Sequence, residues 1–132
     1  MLESVVLDTW FPVEPQVVYK AWLDSRAHGA FTGGAASIVP KVGAAFTAWD
    51  GYIQGKTLEL ESPRRILQSW RTSEFPDGAP DSLLELLLEA VSGGTRLILR
   101  HTGIPEGQGI SYAQGWIDHY FNPMQAYFGS RR

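Results

Sequence analysis

The stretch Tyr112–Phe128, YAQGWIDHYFNPMQAYF, decides the fold. Its bulky residues Tyr112, Trp116, His119, Tyr120, Pro123, Met124 and Tyr127 recur at intervals of three and four, which a 3.6-residue helix gathers into one stripe. An ordinary core stripe would consist of Leu, Ile and Val. This one is aromatic and carries phenol hydroxyls and an imidazole, so it can close a core and also present hydrogen-bonding groups to whatever lies beneath it. The expectation is a long C-terminal helix over a lined cavity. Pro123 removes one N–H from the ladder and crowds the carbonyl of His119, which predicts a bend in a helix that stays continuous.

Upstream lies the material for such a helix to cover. Short alternating runs at residues 4–11, 44–60, 65–75 and 82–102, bounded by Gly, Pro, Asp or Ser, read as an antiparallel meander. Asp50-Gly51 marks a hairpin that divides the second run into strands at 44–49 and 52–60, and Leu83 to Val91 pairs with Thr95 to Thr102 across Ser92-Gly93-Gly94. Glu14-Pro15 opens a helix with proline at its first position, and SRAHGAF supplies a second short one before Gly33-Gly34. The final helix is expected to start after Gly109, with Ser111 as its cap. One domain, residues 1–132, is long enough to bury a core with room for one pocket.

Composition removes several function classes. Eleven Lys plus Arg stand against fourteen Asp plus Glu, a net charge of −3, and no basic run exceeds two residues, so no nucleic-acid partner is indicated. The longest apolar stretch, Leu83 to Leu88, is interrupted by Glu85 and is far too short for membrane insertion. The N-terminus has neither a basic start nor a small-residue cleavage site, and with no cysteine there are no disulfides or thiolate ligands. A cytoplasmic setting is the expectation.

The element order, a strand, two short helices, a run of strands and one long helix, is accompanied by a set of short motifs. These are Ala30-Phe31-Thr32-Gly33, Asp50-Gly51 followed by Gly55, ILQSWR at residues 66–71, and Glu74-Phe75-Pro76-Asp77-Gly78. Gly94-Thr95-Arg96-Leu97, Gly103-Ile104-Pro105, Gly115-Trp116 and Tyr120-Phe121 continue the series. Together they resemble the START-like, or SRPBCC, helix-grip superfamily, and within it the family related to the C-terminal domain of the activator of heat-shock protein 90 ATPase. The resemblance covers essentially the whole chain. It implies an α+β fold in which a curved antiparallel sheet of about six or seven strands wraps a long C-terminal helix, with two short helices after the first strand. It also implies a hydrophobic ligand cavity between sheet and helix. The co-chaperone members carry a separate N-terminal domain with no counterpart among these residues.

Strand alternation turns Leu97, Leu99 and His101 inward and Arg96, Ile98 and Arg100 outward. The same rule turns Leu84, Leu86 and Leu88 inward, and groups Ile66, Gln68 and Trp70, where Gln68 needs a partner if buried. His101 from the sheet and His119 from the helix then approach one space. The candidate ligand-lining set is Phe31, Phe46, Trp49, Gln68, Trp70, Leu99, His101, Tyr112, Trp116, His119 and Tyr120. For any single ring, core packing is the simpler account; the surplus of Tyr and Trp, which need polar partners, is what favours an amphipathic cavity. The small-residue tract Gly29 to Ala36 is a candidate rim, and Glu59 a candidate inward acid.

No GxSxG elbow, P-loop or metal-ligand spacing occurs, so no catalytic residue, metal or cofactor is nominated. The expected partner is a small hydrophobic or aromatic molecule, bound by a monomer or homodimer. The resemblance adds two alternatives: a stress-response role in contact with a chaperone, and polyketide cyclase- or dehydratase-like chemistry using His101 or His119 as acid-base group.

Overall fold

The computed structural model describes residues 1–129, so the last three residues of the expected domain lie outside the described residues. Strand β1 (Glu3–Phe11) leads into helices α1 (Pro15–Trp22) and α2 (Ser25–Thr32). Strands β2 (Ala45–Ala48), β3 (Ile53–Glu61), β4 (Arg65–Thr72), β5 (Ser82–Val91) and β6 (Gly94–Ile104) follow. The chain then runs through α3 (Gly109–Trp116), a π-helical segment (Ile117–Phe121) and α4 (Asn122–Gly129). Six antiparallel strands form one curved sheet in the order β1-β6-β5-β4-β3-β2.

Register explains which side chains meet on the inner face. Leu60 pairs with Ile66, Ile66 with Leu86, Leu86 with Leu99 and Leu99 with Leu7, giving one apolar row across five strands. The neighbouring row joins Thr57 to Gln68, Gln68 to Leu84 and Leu84 to His101. Three buried polar side chains, Thr57, Gln68 and His101, thus share one row, and the alternation that placed Gln68 and His101 inward holds on β4, β5 and β6.

One local expectation is corrected. Ser111 does not cap the last helix, which begins two residues earlier at Gly109. Glu3, more than a hundred residues away in sequence, takes the cap instead: its carboxylate accepts from the Gly107 N–H at 2.9 Å and the Gly109 N–H at 2.8 Å. Those two bonds hold its pKa below the usual carboxylate value. At Pro123 the helix stays continuous, as expected, but by a device the sequence did not suggest. Helical dihedrals persist from Trp116 through Asn122, and the Asn122 N–H bonds the Ile117 carbonyl, an i to i−5 link. A π turn therefore precedes the proline and absorbs its missing donor without breaking the helix.

The π turn also aligns the buried stripe. Trp116, Tyr120, Met124 and Phe128 are buried at four-residue spacing, which on a regular α-helix would drift by about 40° per step. Widening one turn draws the later residues back over the sheet. Phe121 and Phe128 join this face, whereas His119 is exposed and Tyr127 half-buried. Among the described residues no helix is long and apolar enough to cross a membrane.

Candidate functional site

The space directly between sheet and helix is filled. Trp116 packs against Trp70 with centroids 5.4 Å apart, against Tyr120 at 4.9 Å and against Trp22 at 6.4 Å, while Leu99 and Met124 are wholly buried. Polar groups in this layer satisfy one another. The Trp22 indole donates to Gln68 Oε1 at 3.1 Å, and Gln68 Nε2 donates to Thr57 Oγ1 at 3.2 Å. Gln68 thus has the partners its burial requires.

Each buried histidine has a tautomer dictated by its neighbours. The Trp116 indole donates to His101 Nδ1 at 3.1 Å, so the ring proton sits on Nε2 and is given to Ser82 Oγ at 2.8 Å, which donates onward to the Trp70 carbonyl at 2.7 Å. His28 is the converse. The Trp22 carbonyl, 2.9 Å from Nδ1, can only accept, so Nδ1 carries the proton and Nε2 accepts from the Tyr120 hydroxyl at 2.9 Å. Burial pulls the pKa of His28 down to about 4 and of His101 down to about 3, so both rings are neutral at neutral pH. Burial likewise drives the Tyr120 phenol well above its usual range. With both nitrogens of His101 engaged, that ring has no capacity left for a ligand or a transferred proton.

A groove of about 580 Å³ lies beside this core, between the start of the last helix and the β3–β4 end of the sheet. Trp49, Trp70, Tyr112, Trp116, His119 and Tyr120 line it, joined by Tyr52, Ile53, Glu74, Ser111, Gln114, Gly115 and Asp118. The remaining expected residues, Phe31, Phe46, Gln68, Leu99 and His101, are buried in the core and do not border it. His101 and His119 accordingly do not share a space. Glu59 is on the exposed face, paired with Arg65, because the β3 irregularity between Thr57 and Glu59 turns it outward.

The mouth of the groove is held by a strained turn. Trp49, Asp50 and Gly51 take consecutive positive φ values of 51°, 59° and 90°. For a residue as bulky as Trp this is a rare conformation costing about 1–3 kcal/mol, maintained only when its surroundings over-determine it. They do so here. Asp50 Oδ1 accepts from the Ala35 N–H at 2.8 Å, its own N–H returns to the Ala35 carbonyl at 3.0 Å, and Gly34 lies so close to Trp49 that a Cβ would stand 3.0 Å from its Cα. The small-residue tract therefore anchors the turn rather than forming a rim. Trp49 is left edge-on to His119, centroids 5.6 Å apart.

A second polar chain closes the opposite wall. Thr72 Oγ1 donates to the Tyr112 hydroxyl at 2.7 Å, Tyr112 donates to Gln108 Oε1 at 2.7 Å, and Gln108 Nε2 reaches the Glu74 carbonyl at 3.0 Å. Tyr52 donates to the Glu74 carboxylate, and burial with this bond pushes the phenol pKa up to about 12. Tyr52, Glu74, Gln114 and Asp118 were absent from the sequence-derived set. The i, i+4 spacing of Gln114 and Asp118, which hydrogen bond at 3.0 Å, was the available signal on the helix. Nothing in β3 or the loop after β4 announced that Tyr52 and Glu74 face them.

Comparison with known proteins fits this architecture. Human activator of 90 kDa heat shock protein ATPase homolog 1 is 26% identical over 126 residues, covering 96% of this chain but 37% of the relative. The chain thus spans little more than a third of that curated relative. The crystal structure of an HSP90 activator from Plasmodium falciparum superposes with a TM-score of 0.86 at 24% identity, covering 96% of each chain. CalU16 from Micromonospora echinospora gives a TM-score of 0.75 at 25% identity over 98% of this chain and 75% of that one. The model of one family matches residues 12–129, which include all the helices and five of the six strands, and the chain belongs to that family, the Activator of Hsp90 ATPase homolog 1-like proteins.

Proposed function

We propose that the groove binds a small, flat, largely apolar molecule against the rings of Trp49, Trp70, Tyr112 and Trp116. Gly115 is the observation that carries this reading. A glycine inside a helix costs about 1 kcal/mol relative to alanine, so one is kept where something needs the space. Packing does not need it: a Cβ at Gly115 would meet nothing nearer than His119 Cδ2 at 3.9 Å. What the missing side chain leaves open is the groove wall itself. The volume of about 580 Å³ also falls in the range of small-molecule sites.

Titration with an environment-sensitive naphthalene dye tests the proposal. Wild type is expected to enhance its fluorescence saturably, and Gly115→Trp, which fills the groove from a position with room for a side chain, to weaken binding at least tenfold. Equal affinity in a Gly115→Trp protein of unchanged melting temperature would place the dye elsewhere and end the proposal.

Family membership and the name of the human relative favour a second reading, contact with a heat-shock protein 90 chaperone. Stimulation of that chaperone's ATPase by the purified chain is its test, with no stimulation at saturating protein the contrary result. The cyclase- or dehydratase-like alternative has less support: of its two candidate acid-base groups His101 is spent on structure, and only the exposed His119 lines the groove.

A further inference from the structure

We propose that the ligand of the groove is a cation, an aromatic or otherwise flat molecule bearing an ammonium group. This deepens the small-molecule reading above and rests on it. Its basis is how charge is distributed around the aromatic walls.

Carboxylates on the outer face of the sheet are consumed by arginines. Arg65 holds Glu59 and Glu85, Arg71 holds Asp81, and Arg96 holds Asp8 and Glu89. The two carboxylates of the groove, Glu74 and Asp118, ion-pair with no basic group among the described residues. Their hydrogen-bond partners are neutral, the Tyr52 hydroxyl and the Gln114 amide. No Lys or Arg lines the groove, although the chain has eleven. A site built for a carboxylate or phosphate would carry the opposite complement.

The walls suit the same charge. Trp70 lies 5.1 Å from Tyr112 and 5.4 Å from Trp116, at interplanar angles of 83° and 43°, and Trp49 joins them in the lining. A lining rich in aromatic rings and without Lys or Arg attracts an ammonium wherever a ring face borders the groove, and offers an anion no charged partner. Exposed carboxylates at the rim then draw the cation in and screen it from repulsion.

Three probes of one shape separate charge from hydrophobicity: (2-naphthylmethyl)trimethylammonium, its carbon isostere with a tert-butyl group, and 2-naphthylacetate. Binding is read by quenching of intrinsic Trp fluorescence and by calorimetry. The ammonium is expected to bind about tenfold or more tightly than its isostere, and the anion most weakly. Asp118→Asn and Glu74→Gln, both at exposed positions, should each narrow the ratio between cation and isostere. Repeating the titration in His119→Gln removes the one basic ring of the wall from the comparison. Equal binding of cation and isostere would overturn the charge preference while leaving the groove a ligand site. Binding of none of the three would overturn both readings together.

Discussion

Trp116 shows how much one side chain carries in this protein. Its indole is almost fully buried, touches Trp22, Trp70 and Tyr120, and supplies the proton that fixes the tautomer of His101. Trp116→Ala is expected to cost about 3–5 kcal/mol for the lost volume, with a further penalty for the stranded His101 Nδ1, measured by urea denaturation. A loss below about 1 kcal/mol would mean that the cavity collapses and His101 finds another donor. Tyr120 differs from what its place in the stripe suggests. From sequence its hydroxyl reads as a ligand contact, yet it donates to the buried His28. Tyr120→Phe should therefore destabilise by about 1–3 kcal/mol through the unsatisfied Nε2, while changing dye affinity little. The sequence could place His28 on a short helix but could not reveal this bond, because its partner lies 92 residues away.

Among the elements, the last helix was legible in period and extent but not in its interior. Four-residue spacing of large side chains is compatible with an α-helix over one or two turns, and only the drift accumulated over three such steps demands a wider one. The proline marked the place but not the π turn that precedes it. Gly115→Ala gives a direct test of the helix and the groove together: stability should rise by about 0.5–1 kcal/mol in thermal melts, because the position is helical and has room for a methyl. A fall would show that the glycine answers a packing demand. At the N-terminal end, Glu3→Gln should speed hydrogen exchange of the Gly107 and Gly109 amides, since a neutral amide accepts more weakly than the carboxylate that holds them. Strand facing was the most readable level of all. A period of two leaves little freedom once Arg96 and Arg100 must meet water, and His101 followed from them.

For the whole molecule, the consequence of two neutral buried histidines is acid sensitivity. Both have folded-state pKa values lowered from 6.5, to about 4 for His28 and about 3 for His101. Below 6.5 the unfolded chain binds two protons that the folded chain refuses, so stability is full above that pH and falls as pH drops toward the folded values. The slope where both contribute is about 2.7 kcal/mol per pH unit, a large share of a typical domain's stability. Denaturant midpoints at pH 7, 6 and 5 should decline with increasing steepness; a flat series from 7 to 5 would mean that the rings charge without unfolding. The architecture itself was legible from element order and motif sequence. The location of the groove was not, because whether aromatic residues enclose a space or fill it depends on tenths of an ångström in packing that periodicity does not encode.

The pairing of β1 with β6 has a kinetic meaning. Among the described residues the sheet neighbour of β1 is the segment Gly94–Ile104, and the Glu3 side chain caps the helix that follows. During synthesis β1 must wait, an unpaired edge, until most of the other strands have been made. Closure of so long a loop sets a slow step, placing refolding of the chain nearer milliseconds to seconds than microseconds. A fragment ending before Gly94 would lack the one strand that unites the two ends, and its β1 would remain open to pairing with other chains.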